Sequence, residues 1–171
     1  MAVVFTHTVQ GSKWTIGTGT PSSNSLTGVN GDRYVDTTSG IVWMYKTSWT
    51  PAGTQVIQIA FSDLSTVITT GTSKGYDIVP MDMTITEVFV SLLTPQTSGT
   101  IFTVNIKEAG TTILSTKVTV DNTENSSLTA ATPPVISDAT LTKGNLITID
   151  VDQVGDGTAK GGIVTIIGYA N

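Results

Sequence analysis

The sequence predicts an all-β fold, an antiparallel β-sandwich or jelly roll preceded by an extended N-terminal arm and a β-hairpin. Three observations carry that expectation. Threonine is the commonest residue, Val and Ile are frequent, and only 12% of residues are charged, against about 25% in an average domain. These β-branched side chains are stiff at χ1 and suit a pleated surface. Several runs alternate apolar and polar residues with period two. Clusters of Gly, Ser, Asn and Asp punctuate the chain at intervals near ten residues, the rhythm of a sandwich.

Residues 1–30 have little regular pattern. They are broken by Gly11, Gly17, Gly19, Pro21 and Gly28, with Ser22-Ser23-Asn24-Ser25 between. This reads as an extended arm with one short strand near Val3–Val9, anchored by Trp14 and Ile16. Residues 31–49 read as the hairpin, because two aromatic and β-branched runs flank Asp36-Thr37-Thr38-Ser39-Gly40, a stretch of turn-forming residues. Asp36 with Gly40 has the character of an Asx turn. Trp49-Thr50-Pro51-Ala52-Gly53 reads as a hinge. The expected domains are therefore 1–54, the arm and hairpin, and 55–171, the sandwich.

Strands of the larger unit follow from alternation. Val88, Val90 and Leu92 form one inward row; Phe102, Val104 and Ile106 form a second. Val118 with Val120, and Ile147, Ile149 and Val151, form two more. By the same rule Asp150 and Asp152 fall on one exposed face. Ile163–Ile167 is more uniformly apolar and reads as a central or doubly covered strand. Four clusters read as hairpin turns: 97–100, 108–111, 142–145 and 155–157. Asp63–Val67 allows one helical turn at most. No heptad or collagen-like repeat is present.

Chemistry is sparse. The chain has no cysteine, which excludes disulfides and thiolate metal sites. Its eight Lys and Arg are scattered and the net charge is −5, so it lacks the clustered cations that nucleic acid or anionic membranes require. The N-terminal residues lack a basic leader pattern and no apolar run is long enough for a spanning helix. His7, the sole histidine, has no Gly-x-Ser-x-Gly partner for a nucleophilic triad. Asp150, Asp152 and Asp156 resemble the start of a calcium loop, but Val154 and Gly161 stand where later oxygen ligands belong. Gly17-Thr18-Gly19 lacks the rest of a phosphate loop. Acid pairs such as Asp32 and Asp36, or Asp77 and Asp82, satisfy a glycosidase only by sequence proximity. The expectation is no enzyme, no cofactor and no metal.

The stretch Gly31-Asp32-Arg33-Tyr34-Val35-Asp36-Thr37-Thr38-Ser39-Gly40-Ile41-Val42-Trp43 resembles a small module at the linkers and ends of bacteriophage fibre and other virion-surface proteins. Its pattern is Gly-Asp-x-Tyr-x-Asp-x-x-x-Gly-x-hydrophobic-Trp/Tyr. Residues 78–86, 103–115, 141–155 and 159–164 resemble a β-sandwich domain recurring in phage structural proteins. The resemblance implies a virion protein assembled in a bacterial cytoplasm, self-associating as a homotrimer and contacting other virion proteins. A capsid decoration or cement protein is the reading favoured by the short chain. The alternative is a short tail-fibre or tail-appendage protein binding a host surface glycan; a free carbohydrate-binding module is the third reading. Candidate interface residues are Trp14, Tyr34, Asp36, Trp43, Tyr45 and Trp49, either as stacking platforms for sugar rings or as the module's own small core.

Overall fold

The computed structural model describes the backbone of residues 5–9 and 12–171, and side chains from Lys13 onward with the exception of Thr50. Val3, Val4 and the side chain of His7 lie outside the described residues. The chain divides into two compact units, one of residues up to Thr54 with Tyr169–Asn171, the other Gln55–Gly168.

The first unit is a five-stranded sheet, where the sequence reads as an arm and a hairpin. Its strands are β1 (Phe5–Val9), β2 (Ser12–Gly17), β3 (Arg33–Asp36), β4 (Val42–Tyr45) and β5 (Trp49–Pro51), in that spatial order. The hairpin is β3–β4, with Tyr34 opposite Trp43. The hinge segment supplies β5, which pairs with β4. Trp14 and Ile16 lie on β2, which runs parallel to β3 with Trp14 beside Arg33. Parallel neighbours cannot be joined by a tight turn, so the chain must cross back over the sheet. Residues 18–32 make that crossing.

The second unit begins with β6 (Thr54–Ala60), β7 (Gly71–Ile78), β8 (Met83–Thr94) and β9 (Phe102–Glu108). The short strands β10 (Thr111–Thr112), β11 (Leu114–Thr116) and β12 (Val118–Val120) follow. A 3₁₀ helix at Ser127–Thr129 precedes β13 (Val135–Ile136), β14 (Thr140–Leu141), β15 (Leu146–Gln153) and β16 (Lys160–Ala170). One sheet is ordered β14–β8–β16–β6; the other is β10–β9–β15–β7, with β12 also on β9, and β11 pairs with β13. A single buried cluster draws on both larger sheets. Ile57, Ile59, Val88, Val90, Val164 and Ile166 meet Phe102, Val104, Ile106, Ile147 and Ile149 within it. This is the expected sandwich. Burying each such side chain contributes about 1.5–3 kcal/mol before entropy is counted.

All four predicted inward rows are buried, and β16 is central. Of the four predicted turns, only 108–111 closes a hairpin within a sheet. It joins β9 to β10 through Ala109 and Gly110, whose φ values are +47° and +85°, the positive pair of a type I′ turn. The segments 97–100, 142–145 and 155–157 instead carry the chain from one sheet to the other. The same Gly, Ser and Asn chemistry serves both connections, so composition alone cannot separate them.

Candidate functional site

The period-two rule sorts the N-terminal sheet into two faces. Asp32, Tyr34 and Asp36 point to one face and are 4%, 0% and 5% exposed. Arg33 and Val35 point to the other and are half-buried. The signature Asp-x-Tyr-x-Asp is thus one strand edge-on, with all three named side chains inward.

Both aspartates act as hubs for backbone donors. The Asp32 carboxylate accepts from the N–H of Lys13 at 2.7 Å and from that of Val29 at 3.0 Å. The Asp36 carboxylate accepts from the N–H groups of Gly19 and Thr38, each at 2.9 Å, and from the Ser39 hydroxyl at 2.7 Å. The bond from Thr38 N–H, two residues on, is the expected Asx turn, and Gly40 N–H closes the loop onto Asp36 C=O at 2.8 Å. Burial works to raise the Asp36 pKa. The Ser39 hydroxyl and the N–H groups of Thr38, Gly19 and Ser39 outweigh it and hold the carboxyl below the usual range. These carboxylates pin the two ends of the crossover 18–32 to the sheet.

The middle of the crossover is pinned by aromatics. Asn24 Nδ2 donates to the Tyr34 hydroxyl at 2.9 Å, and Trp49 Nε1 donates to Leu26 C=O at 3.1 Å. Trp49 stands edge-on to Tyr34 and to Tyr45, with ring centres 6.3 and 5.3 Å apart. Gly28 lies directly on them: a Cβ there would come within 2.5 Å of the Tyr45 ring. Burial, then the Asp36 charge, push the Tyr34 phenol above its usual pKa, while the Asn24 bond works the other way. Tyr34, Tyr45 and Trp49 therefore form the unit's own core beneath the crossover. No sugar ring can reach Tyr34.

The remaining candidates differ. Trp43 is half-buried with its ring 6.3 Å from Tyr169. Trp14 is 37% exposed on the opposite face, with the Arg33 guanidinium 5.1 Å from its ring centre. Ile16, 40% exposed, adjoins it. Val35 pairs with Val42, and Arg33 with Met44, on the same face. The structure thus separates residues that the sequence groups together: Tyr34, Asp36, Tyr45 and Trp49 build the lock, while Trp14 fronts an open apolar face. Ile16, read from the sequence as an anchor of the arm, lies on that face. Arg33 belongs to it too and is not singled out by sequence; its signal is the alternation itself, read through the parallel register.

In the sandwich the three aspartates of the calcium-like pattern, Asp150, Asp152 and Asp156, are each engaged. Asp150 is 4% exposed, where alternation placed it outward. Its carboxylate is 2.6 Å from Lys107 Nζ and accepts from Ser73 N–H at 2.8 Å. Ser73 sits at φ +51° where β7 slips register against β15, and that irregularity folds β7 over the carboxylate. Burial works to raise the Asp150 pKa; the Lys107 bond, the Ser73 N–H and the Lys107 and Lys117 charges outweigh it. Asp152 pairs with Lys117 at 2.7 Å. Asp156 accepts from Thr158, Thr97 and Ser98, and the bonds from Thr158 and Thr97 hold it well below the usual carboxylate range. No group of three or more His, Asp or Glu is placed to hold a metal among the described residues.

The sandwich also bears a groove of about 460 Å³ between β8 and the Pro133–Ile136 segment. Val88, Phe89, Leu128, Pro133 and Val135 give it apolar walls, and Glu87 stands on its rim. Leu128 and Val135 are 62% and 50% exposed. Pro133-Pro134 beside two apolar residues was the signal for it in the sequence.

Comparison with known protein families, with curated proteins and with solved structures gives no match to this chain.

Proposed function

We propose that the chain is a non-enzymatic structural protein of a bacteriophage particle, working as a capsid decoration or cement protein. The observation that carries the reading is the N-terminal sheet. One of its faces is locked shut by Asp32, Tyr34 and Asp36. The other presents Trp14, Ile16, Val35 and Val42 on a rigid frame with few charges around them. A rigid, half-exposed apolar and aromatic face is a binding surface for another protein. The sparse surface charge agrees with a protein that works covered by neighbours.

The mechanism is additive. Each copy would anchor on neighbouring shell subunits and bridge them. Modest contacts repeated over a lattice sum to a large stabilisation of the shell. Self-association, as a trimer by the resemblance of the sandwich, would link anchors to one another.

Heads purified with and without the protein, challenged by heat, test this. The expected result is rupture at lower temperature without it, and restoration on adding the purified chain back. Equal rupture temperatures, or no sedimentation of the chain with heads, would overturn it. Binding of the isolated chain to host cells rather than heads would favour the tail-appendage reading.

A further inference from the structure

Charge is segregated along the chain. Of 8 Lys and Arg, three (Lys13, Arg33 and Lys46) precede residue 55; of 13 Asp and Glu, only Asp32 and Asp36 do. Both of those acids are buried hubs of hydrogen bonds. Among the described residues, the N-terminal sheet therefore shows solvent only basic charge, and its open face carries one guanidinium, Arg33. The sandwich holds the other eleven acids against five lysines. The two units have opposite character, and each carries an apolar surface feature of matching kind. On the sheet it is a part-exposed indole with a guanidinium over it, 5.1 Å away. On the sandwich it is an apolar groove with a carboxylate, Glu87, at its rim.

We propose that the open face of the N-terminal sheet docks on a second copy of the chain, with Trp14 entering the groove between β8 and Pro133–Ile136 and Arg33 meeting Glu87. This rests on the self-association in the function proposed above and names the surfaces that make it. The groove volume lies within the about 300–1,000 Å³ typical of pockets that hold ligands larger than an indole. Trp and Arg are the residues most enriched at interface hot spots, and an aromatic seated in a desolvated pocket is their usual setting. Arg33 already stacks on Trp14, so its fork is held before contact and loses little freedom on meeting a carboxylate. The contact is head-to-tail: the sheet of one copy meets the sandwich of the next. Such heterologous contacts close into rings when the rotation permits.

The test is sedimentation equilibrium of the full chain over a concentration series. The wild-type chain is expected to exceed monomer mass. Trp14→Ala should abolish association in the range where wild type assembles. Arg33→Glu and Glu87→Arg should each weaken it about tenfold or more, since each sets like charges together. The chain carrying both changes should recover to within about threefold, because the pair is restored in reverse. Lys46→Glu, an equal change of net charge at an exposed site elsewhere on the same unit, should leave association unchanged. Circular dichroism identical to wild type certifies each variant as folded. A monomer at every concentration, association indifferent to Glu87→Arg, or a double variant no better than its parents would each overturn the proposal. A monomer that still protects heads would sink this inference and leave the cement reading standing. An oligomer that ignores heads would do the reverse.

Discussion

Replacing Asp36 by Ala removes an acceptor that three donors share. The side chain is 5% exposed and receives Gly19 N–H, Thr38 N–H and the Ser39 hydroxyl. A buried donor left without a partner costs about 1–3 kcal/mol. Thr38 and Ser39 lie at the surface, so water can take over part of what they lose; Gly19, half-buried, has less access. The expected loss is about 2–4 kcal/mol, a large fraction of what a small domain possesses. The assay is convenient because Trp14, Trp43 and Trp49 are the only tryptophans and all lie in the N-terminal unit. Indole fluorescence under urea therefore reports that unit alone. With a slope of about 1–2 kcal/mol per molar for so small a unit, the midpoint should fall by about 1–4 M. Asp36→Asn keeps one carbonyl oxygen for the two N–H groups and fails only Ser39, so its midpoint should lie between. The acid limb carries the same sign. Because the folded carboxyl titrates below its usual range, its stabilisation is present above the unfolded pKa and is lost as pH falls through the folded value. Asp36→Ala should flatten that limb. A midpoint within about 0.3 M of wild type would refute the view that this carboxylate holds the crossover down.

Three further outcomes follow from neighbouring contacts. Tyr34→Phe deletes the hydroxyl that receives Asn24 Nδ2 at 2.9 Å, and should cost about 1 kcal/mol in the same urea titration while leaving the aromatic packing intact. Gly28→Val would drive its side chain into the rings of Tyr45 and Trp49; the crossover must lift, and the expected cost of about 1–3 kcal/mol should come with a red-shifted indole emission. Lys107→Met leaves Asp150 without its closest cation. The Asp150 pKa then rises toward the ordinary value, so acid unfolding followed by circular dichroism should begin at higher pH than in wild type.

The sandwich was legible wherever burial alternates. Val88, Val90 and Leu92, or Ile147, Ile149 and Val151, announce themselves because one face is wholly apolar. β7 did not, since Gly71-Thr72-Ser73-Lys74-Gly75-Tyr76-Asp77-Ile78 has no alternation and buries only Gly75. An edge strand needs none, as its partner β15 supplies the core. Alternation alone places Asp150 outward, because it carries information only about the strand the residue is on. Its burial depends on Ser73 and Lys107, 77 and 43 positions away in the chain. The N-terminal arm proved to be a sheet for a related reason. A parallel pair such as β2 and β3 leaves no turn signal between its strands, only a long connection that looks structureless until its acceptors on Asp32, Asp36 and Tyr34 are known.

Those acceptors also explain how one short strand can serve stability and recognition together. Along β3 the even-numbered residues Asp32, Tyr34 and Asp36 face the crossover, and the odd-numbered Arg33 and Val35 face outward. Period two keeps the two tasks on separate side chains. Changes to the inward set should therefore move the urea midpoint before they move association. Changes to the outward set should do the opposite, because half-exposed side chains contribute little to the unit's own folding. Val35→Asp is the sharpest case. It places a charge at the centre of the open face, opposite Val42, without touching a single acceptor of the lock. It should leave fluorescence-detected stability within about 1 kcal/mol of wild type and still eliminate whatever this face binds. If stability and association instead fell together, the face would be part of the fold's own core, and its role as a contact surface would have to be abandoned.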